Sequence, residues 1–297
     1  MTPTPTLAIV GAGVIGISWA RLAREHGWTV TITDPRPDLA DIVTAEFGDD
    51  EKVRATDDLA DAVRDADIVQ ENGPERLPIK QQLFAEIGAA APANAVLATS
   101  SSSITSSEIG VDLDADVAAR LLVGHPFNPP ELMPLVEVLP GERTAPATTD
   151  RAVELYRALD REPVVIRREL PGFVANRLQA AISREARYLV QEGVVSPADL
   201  DTILQNSLGL RWATIGLFEG NVLGGGPGGI AQLLAGVGAQ TGGIEPGVPA
   251  TDPASMRRLV DAVEETYGSG EEVYETLARR RDRRTRAVLA ALAAVDG

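Results

Sequence analysis

The chain has 297 residues, 44% of them hydrophobic and 24% charged, which is typical of a soluble globular protein of one or two domains. Its net charge of −16 disfavours nucleic acid and anionic membranes as partners, and the lack of cysteine excludes disulfides and thiolate chemistry. It has no run of eighteen apolar residues and no pattern of a secretory signal at its start, so we expect a cytoplasmic protein without a membrane span.

The first predicted element is a short apolar strand, Leu7–Val10, which leads directly into a glycine-rich motif, Gly11–Gly16. A helix follows the motif, and a second strand, Thr29–Thr33, ends at Asp34. A G-x-G-x-x-G motif alone is weak evidence. One that lies between a strand and a helix, with an acidic residue at the end of the next strand, indicates a dinucleotide site.

Each residue of this motif has a physical role in such a site. Gly11 allows the tight turn, Gly13 lets a pyrophosphate approach the backbone, and Gly16 lets the helix pack on the sheet. Asp34 can accept hydrogen bonds from ribose hydroxyls and would repel a 2′-phosphate, so we expect NAD rather than NADP, although Arg36 lies nearby. The alternative is a glycine-rich turn that holds no cofactor.

Strands and helices alternate along the rest of the first half. The predicted strands are Lys52–Ala55, Ala66–Gln70, Ala95–Thr99, Leu121–Val123 and Pro163–Arg167. The predicted helices are Leu39–Phe47, Leu59–Arg64, Leu77–Ala90 and Asp150–Leu159. This alternation predicts a doubly wound, mainly parallel sheet, and therefore a Rossmann domain over residues 1–170.

A histidine and a glutamate stand out within this domain. His125, one of two histidines, follows the apolar run at 121–123, and twelve residues later Glu137 interrupts a second apolar run. An unpaired carboxylate in a core strand is costly, so His125 is its economical partner, and an imidazole paired with a carboxylate is a general base. The alternative is a structural histidine and a glutamate that faces water.

Four consecutive serines, Ser100–Ser103, follow the predicted strand at 95–99. The carboxyl ends of parallel strands are where such sheets bind ligands. The alternative is a polar loop or a helix cap, and we expect several of these serines to have only that role.

The composition changes after Glu169. A long helix is predicted from Pro171 to about Glu192, and the later helices are Pro197–Leu208, Ala254–Tyr267 and Glu271–Val295. No strand pattern occurs in this half, which predicts an all-helical second domain over residues 171–297. The glycine run Gly224–Gly229 is expected to be a mobile loop between helices.

These motifs together resemble the 3-hydroxyacyl-CoA dehydrogenase superfamily. The resemblance rests on the glycine motif, Ser100–Ile104, the His-Pro-Phe-Asn-Pro run from His125, Glu137, and the Pro-Gly-Phe-Val-Ala-Asn-Arg run from Pro171. It implies an NAD-dependent dehydrogenase with a Rossmann domain and a helical domain that forms a homodimer. The segment Leu208–Ala213 is similar to the branch that includes L-gulonate 3-dehydrogenase, lambda-crystallin and carnitine 3-dehydrogenase.

The resemblance also implies roles for individual residues. The catalytic residues would be His125, Glu137, Ser102 and Asn176. The NAD-binding residues would be Gly11, Gly13, Val14, Ile15, Gly16, Asp34, Glu75, Lys80, Ser102 and Asn128. The substrate-binding residues would be Ser102, Asn128, Asn176 and Arg211. No metal is expected.

One departure from the family pattern and one arginine bear on the substrate. Only Pro35–Asp65 separates Asp34 from the strand at 66–70, so a long helical arm that helps to hold CoA in acyl-CoA enzymes is missing. Arg211 could clamp a substrate carboxylate, or it could be a solvated arginine at a helix end. We therefore expect oxidation of a small free 3-hydroxy acid. The alternatives are a CoA or carrier-protein thioester dehydrogenase and a non-catalytic, NAD-binding protein of the crystallin kind.

Overall fold

The computed structural model describes residues 4–236, 238–239 and 242–296. The chain divides after Arg177 into two compact units. The first unit is an α/β sheet domain, and the second consists of helices. The predicted fold class, a Rossmann domain followed by a helical domain, is confirmed.

The first unit is built around one sheet. Within the described residues, its eight strands are β1 (Thr6–Val10), β2 (Thr29–Thr33), β3 (Val53–Thr56), β4 (Ile68–Glu71), β5 (Val96–Thr99), β6 (Leu121–Pro126), β7 (Leu135–Pro140) and β8 (Glu162–Val165). Their spatial order is β3-β2-β1-β4-β5-β6-β7-β8. The first six strands are parallel in the order 3-2-1-4-5-6, which is the Rossmann arrangement with its crevice between β1 and β4.

Helices cover both faces of this sheet. They are α1 (Val14–Glu25), α2 (Leu39–Phe47), α3 (Leu59–Val63), α4 (Leu77–Ala90), α5 (Ser106–Ile109), α6 (Ala115–Ala118) and α7 (Pro146–Arg157). One apolar cluster includes Trp19 and Tyr156, and the cluster on the other face includes Phe84 and Ile87. The central strands are buried on both sides, which explains why they read as continuous apolar runs in the sequence.

Strand β7 runs antiparallel to its neighbour β6, whereas β8 runs parallel to β7. A loop of eight residues, 127–134, joins β6 to β7, and this is long enough for a hairpin but too short for a parallel crossover. The hairpin brings the two apolar runs of the sequence side by side.

Helices joined by loops form the second unit, and its described residues contain no strand. Its helices are α8 (Ala175–Gln191, which starts in the first unit), α9 (Pro197–Asn206), α10 (Leu208–Thr214), α11 (Leu217–Gly224), α12 (Gly229–Ala235), α13 (Pro253–Tyr267) and α14 (Glu271–Asp296). Helices α8 to α12 contain no fully buried residue. The glycine run at 224–229 lies between α11 and α12 and forms a short 3₁₀ turn at Gly226–Gly228.

Several predicted helix boundaries are wrong: the helix predicted over Asp150–Leu159 spans Pro146–Arg157, and two others have a clear backbone cause. Helix α8 begins at Ala175 instead of Pro171, because Gly172 and Phe173 have positive φ angles of 74° and 49°, which a helix does not allow. The helix predicted to run from 197 through 208 ends at Asn206. Ser207 has a ψ angle of −97°, and α10 begins after it.

Candidate active site

The pairing of β6 with β7 places His125 directly opposite Glu137. Residues that face each other across an antiparallel pair point to the same side of the sheet, so the two side chains meet. Nδ1 of His125 lies 2.9 Å from Oε2 of Glu137, and both residues are buried. The predicted partnership of these two residues is present in the structure.

The carboxylate of Glu137 is fully hydrogen-bonded. Its second oxygen, Oε1, accepts bonds from the backbone N–H groups of Val174 (2.9 Å) and Ala175 (3.0 Å), at the start of helix α8. Burial alone would raise the pKa of Glu137, but the hydrogen bonds from His125 and these two backbone groups outweigh it and lower the pKa. Glu137 is therefore ionised at neutral pH, although it is buried.

An ionised carboxylate can only accept hydrogen bonds, so the neutral imidazole of His125 carries its proton on Nδ1. Its other nitrogen, Nε2, then has a lone pair with which to take a proton. This nitrogen lies 3.1 Å from Oγ of Ser102, in the loop after β5. The rings of Phe127 and Phe173 meet the imidazole edge-on, with centroid distances of 6.2 and 5.3 Å, and limit its rotation.

The two predicted asparagines lie next to the segments that carry or contact His125 and Glu137. Asn176 is the second residue of α8, one position after the backbone N–H of Ala175 that Glu137 holds. Asn128 is exposed and lies in the loop that starts after β6, three residues from His125. The backbone next to Asn176 is therefore held by Glu137 of β7, and the backbone next to Asn128 continues from β6.

The glycine motif has the geometry of a dinucleotide site. Gly11 has a φ of 101°, and a side chain on Gly16 would overlap the carbonyl oxygen of Gly11. A side chain on Gly13, by contrast, would meet nothing within 4 Å, so the backbone is open to a ligand there. Helix α1 begins directly after Gly13 and has no acidic residue in its first turn to compete with a phosphate.

Asp34 follows β2 and faces this motif. Its carboxylate accepts hydrogen bonds from the backbone N–H groups of Ala12 (2.8 Å) and Arg36 (3.0 Å). The guanidinium of Arg36 is paired with Asp38 at 2.7 and 2.8 Å rather than with Asp34. These residues fit NAD, because the carboxylate stands at the strand end where a ribose would lie.

A pocket of about 270 Å³ lies beside the glycine motif in the first unit. The residues that line it are Ile15, Asn72, Gly73, Glu75, Lys80 and Ser100–Ser103. Four of the predicted cofactor residues, Ile15, Glu75, Lys80 and Ser102, therefore share one cavity at the carboxyl ends of β4 and β5. Val14, at the start of α1, is exposed.

Lys80 and Glu71 form a buried ion pair beneath this pocket. The side chains are only 1% and 0% exposed, and Nζ lies 3.0 and 2.8 Å from the two carboxylate oxygens. The hydroxyl of Thr99 donates a further bond to Glu71 at 2.6 Å. The resemblance implies only a cofactor role for Lys80, but most of its hydrogen-bonding capacity goes to Glu71, a residue that no sequence pattern singles out.

A second buried network, around Gln70, is also absent from the sequence prediction. The amide nitrogen of Gln70 donates to Oγ of Ser100 (2.8 Å) and to the carbonyl of Gly124 (3.0 Å), and its amide oxygen accepts from the hydroxyl of Tyr156 (2.7 Å). Ser100 in turn donates to Asn72 at 2.7 Å. The available signal was a glutamine within an otherwise apolar strand, which requires internal partners.

Arg211 lies in the second unit, on α10, and is exposed. Within the described residues its guanidinium has no carboxylate partner within 4 Å.

The part of the chain that the structure describes, in both units, contains no group of three His, Cys, Asp or Glu side chains that could hold a metal ion. It also contains no helix that combines the length and the apolar character needed to cross a membrane.

The chain is similar in sequence to known proteins. The family profile described as 3-hydroxyacyl-CoA dehydrogenase, NAD binding domain, matches residues 6–170, and the profile of the corresponding C-terminal domain matches residues 172–276. A 3-hydroxyacyl-CoA dehydrogenase of Gibberella moniliformis is 41% identical, over 81% of this chain and 79% of its own. An L-carnitine dehydrogenase of Nocardiopsis dassonvillei is 40% identical, over 98% of this chain and 92% of its own.

A solved structure is similar over nearly the whole chain. It is an NAD⁺-dependent 5-formyl-3-hydroxy-2-methylpyridine 4-carboxylic acid 5-dehydrogenase, with a TM-score of 0.79 and 28% identity, covering 98% of this chain and 99% of that one. An L-carnitine dehydrogenase of Pseudomonas aeruginosa is 36% identical, over 98% of this chain and 95% of its own.

The buried ion pair generates a stability prediction. Lys80→Met leaves the carboxylate of Glu71 buried without its cation, so we expect the free energy of unfolding in urea to fall by about 3–5 kcal/mol. Adding Glu71→Gln to Lys80→Met removes the uncompensated charge and should recover part of this loss. Circular dichroism at increasing urea concentration measures all three proteins.

The matched control is Lys52→Met, since Lys52 is the other lysine of the chain and its side chain is exposed. We expect it to change stability by less than about 0.5 kcal/mol. Equal small effects of Lys52→Met and Lys80→Met would show that the Lys80 pair is not buried in solution.

Proposed function

The chain belongs to the 3-hydroxyacyl-CoA dehydrogenase family, and from this premise we propose that its substrate is a small free 3-hydroxy acid. It is an NAD-dependent oxidoreductase that acts on CH–OH groups. We assign NAD binding to residues 1–170, and substrate binding and dimerisation to residues 171–297. The contact of His125 with Glu137 is the single observation that carries the mechanism.

His125 acts as the general base. Its Nε2 accepts the proton of the 3-hydroxyl, and the imidazolium that forms is stabilised by the ionised Glu137 on Nδ1. Bound NAD supplies the acceptor for the hydride from C3. In the opposite direction, His125 returns the proton to the oxygen of a 3-keto acid.

Ser102 and Asn176 position the reacting oxygen in this proposal. The hydroxyl of Ser102 lies within hydrogen-bonding distance of Nε2, so a substrate oxygen placed beside the two atoms can bond to both. Asn176 follows the turn that Glu137 fixes at the start of α8. We also assign Asn128, in the loop after β6, to substrate binding. Holding the reactants in line can supply several kcal/mol of the barrier.

Two observations support a free acid over a thioester. The segment between β2 and β3 contains only the nine-residue helix α2, so it provides no long arm for CoA. Relatives about 36–40% identical over most of the chain are named L-carnitine dehydrogenases, and carnitine is a 3-hydroxy acid with a free carboxylate. Arg211, which lacks a carboxylate partner within the described residues, would bind that carboxylate with two parallel hydrogen bonds.

A thioester substrate is the second candidate. It is supported by the 41% identical relative that is named 3-hydroxyacyl-CoA dehydrogenase. A thioester carries no charge at C1, so it would gain nothing from Arg211. The two candidates therefore differ in what happens when this arginine is removed.

We also propose that the protein is a homodimer. Several large apolar side chains of the second unit are exposed in the single chain, among them Phe218 (72%) and Leu223 (65%), both on α11. Large apolar side chains exposed on one short helix are of the kind that an interface covers. A second copy of this chain would cover them through the same surface on both partners. A cytoplasmic location remains our expectation from the sequence.

The dyad generates the central activity prediction. His125→Gln removes the base, and we expect turnover to fall by at least about 10²-fold, while the dissociation constant of NADH stays nearly unchanged. Glu137→Gln should be impaired to a similar degree, because its amide would donate to Nδ1 and leave the proton on Nε2. NADH formation, followed spectrophotometrically, and NADH fluorescence titration measure the two quantities.

His26→Gln is the control, since it makes the same change at the other histidine. His26 caps the end of α1, where its ring contacts the carbonyl of Leu22 and the carboxylate of Asp160. We expect this variant to keep its activity. If His125→Gln stayed as active as His26→Gln, the base would be another group.

Arg211→Met tests the substrate class. If the guanidinium binds a free carboxylate, its loss should raise KM for the acid by about 5- to 150-fold, the equivalent of about 1–3 kcal/mol. NADH binding should not change. The panel contains L-carnitine, L-gulonate, 3-hydroxybutyrate and 3-hydroxybutyryl-CoA, and Arg257→Met, an exposed arginine on α13, is the control.

Oxidation of 3-hydroxybutyryl-CoA with no activity on any free acid, and with no effect of Arg211→Met, would establish the thioester alternative.

The homodimer predicts a mass in solution of twice the 31.3 kDa of the chain. Replacing Phe218 and Leu223 together by Asp should shift the protein towards the monomer in analytical ultracentrifugation, since buried unpaired charges disfavour an interface. Val111→Asp is the matched control, because this valine is 60% exposed in the first unit. A monomeric parent protein at micromolar concentration would refute the proposal.

A further inference from the structure

One carboxylate oxygen organises the serine loop beside the dyad. Oε1 of Glu75 accepts four hydrogen bonds, from Oγ of Ser101 (2.7 Å), the backbone N–H of Ser102 (3.1 Å), and both the N–H (3.0 Å) and Oγ (2.9 Å) of Ser103. The donors come from three consecutive residues that follow β5. The loop is thus wrapped around a single side chain of the same unit.

One hydroxyl group of the loop, that of Ser102, is not held by Glu75. The hydroxyl of Ser102 does not contact Glu75 and instead lies 3.1 Å from Nε2 of His125. Glu75 therefore holds the backbone of Ser102 and the serines on either side, while the Ser102 side chain faces the base. A shift of the backbone of the loop would move this hydroxyl away from Nε2.

Glu75 is suited to hold the loop because it is charged. Burial alone would raise its pKa, but the hydrogen bonds of Ser101 and Ser103 and the nearby charge of Lys80 outweigh that effect and lower the pKa. Hydrogen bonds to an ionised acceptor are about twice as strong as neutral ones. The carboxylate therefore binds the loop more firmly than a neutral side chain would.

Lys80 holds Glu75 in place from below. Nζ of Lys80 lies 3.6 Å from Oε2 of Glu75 and is itself bound to Glu71, at the end of β4. Nζ also lies 3.4 Å from the hydroxyl of Thr99, at the end of β5. The buried cation thus connects the ends of two strands to the carboxylate that holds the loop.

From this chain of contacts we propose that Glu75, besides the cofactor role that the resemblance implies, is a positioning residue, which acts on the reaction through Ser102. The inference rests on the proposed function, because it requires that Ser102 and His125 act on the substrate oxygen. Glu75 sets the distance from the Ser102 hydroxyl to Nε2, so its effect on the rate should depend on the presence of that hydroxyl.

A double-mutant cycle tests this dependence. Glu75→Ala should lower kcat, measured at saturating NAD and substrate, by roughly 10- to 100-fold, because a misplacement of about 1 Å costs that much. In a Ser102→Ala background, Glu75→Ala should have little further effect on kcat. Glu75→Gln should restore part of the rate, since its amide oxygen still accepts hydrogen bonds.

The control for removal of a glutamate is Glu86→Ala. Glu86 lies on the exposed side of α4 and contacts Gln82, so we expect its loss to leave kcat unchanged. Thermal melts monitored by circular dichroism verify that each variant is folded. If Glu75→Ala does not fold, the comparison of Glu75→Gln with Ser103→Ala, which removes a single donor, replaces it.

Two results would overturn the inference while the proposed function stands. One is a kcat of Glu75→Ala at saturating NAD equal to that of the parent protein, with only the NADH affinity reduced, which would make Glu75 a cofactor ligand alone. The other is multiplication of the Glu75→Ala and Ser102→Ala effects, which would make the two residues independent. A fully active His125→Gln would instead refute the proposed function itself.

Discussion

The buried carboxylate of Glu137 is the constraint on which the site depends. A charge removed from water must have partners, and Glu137 has three of them: the ring of His125 and two backbone N–H groups before and at the start of α8. The same side chain therefore fixes the tautomer of the base and the point where the long helix begins. The positive end of that helix also favours the negative charge.

This constraint explains why part of the site could be read from the sequence. A glutamate within an apolar run requires a partner, and His125 was the residue able to supply one. The glycine motif was equally informative, because its spacing and the strand that precedes it have few other uses. A charged residue in an apolar strand, and closely spaced glycines between a strand and a helix, are both unfavourable unless a partner or a ligand requires them.

Other features could not be predicted because they depend on three-dimensional arrangement. Apolar runs do not specify strand direction, so the antiparallel pairing of β7 was not evident. Lys80 was assigned through a family pattern, and its buried partner Glu71 stands nine residues earlier, where only the packing of α4 on β4 and β5 brings them together. The late start of α8 follows from the positive φ angles before it, which the sequence Pro171-Gly172 allows but does not require.

The network of Tyr156 has a consequence for how this protein can vary. A side chain on Gly124 would overlap the hydroxyl of Tyr156, which reaches the sheet from α7. The identity of the residue before His125 is therefore dictated by a tyrosine thirty-two positions after it, together with the glutamine that binds it. Position 124 can accept a larger side chain only if the tyrosine at position 156 is replaced by a smaller residue. In descendants of this chain the two positions are therefore expected to change as a pair.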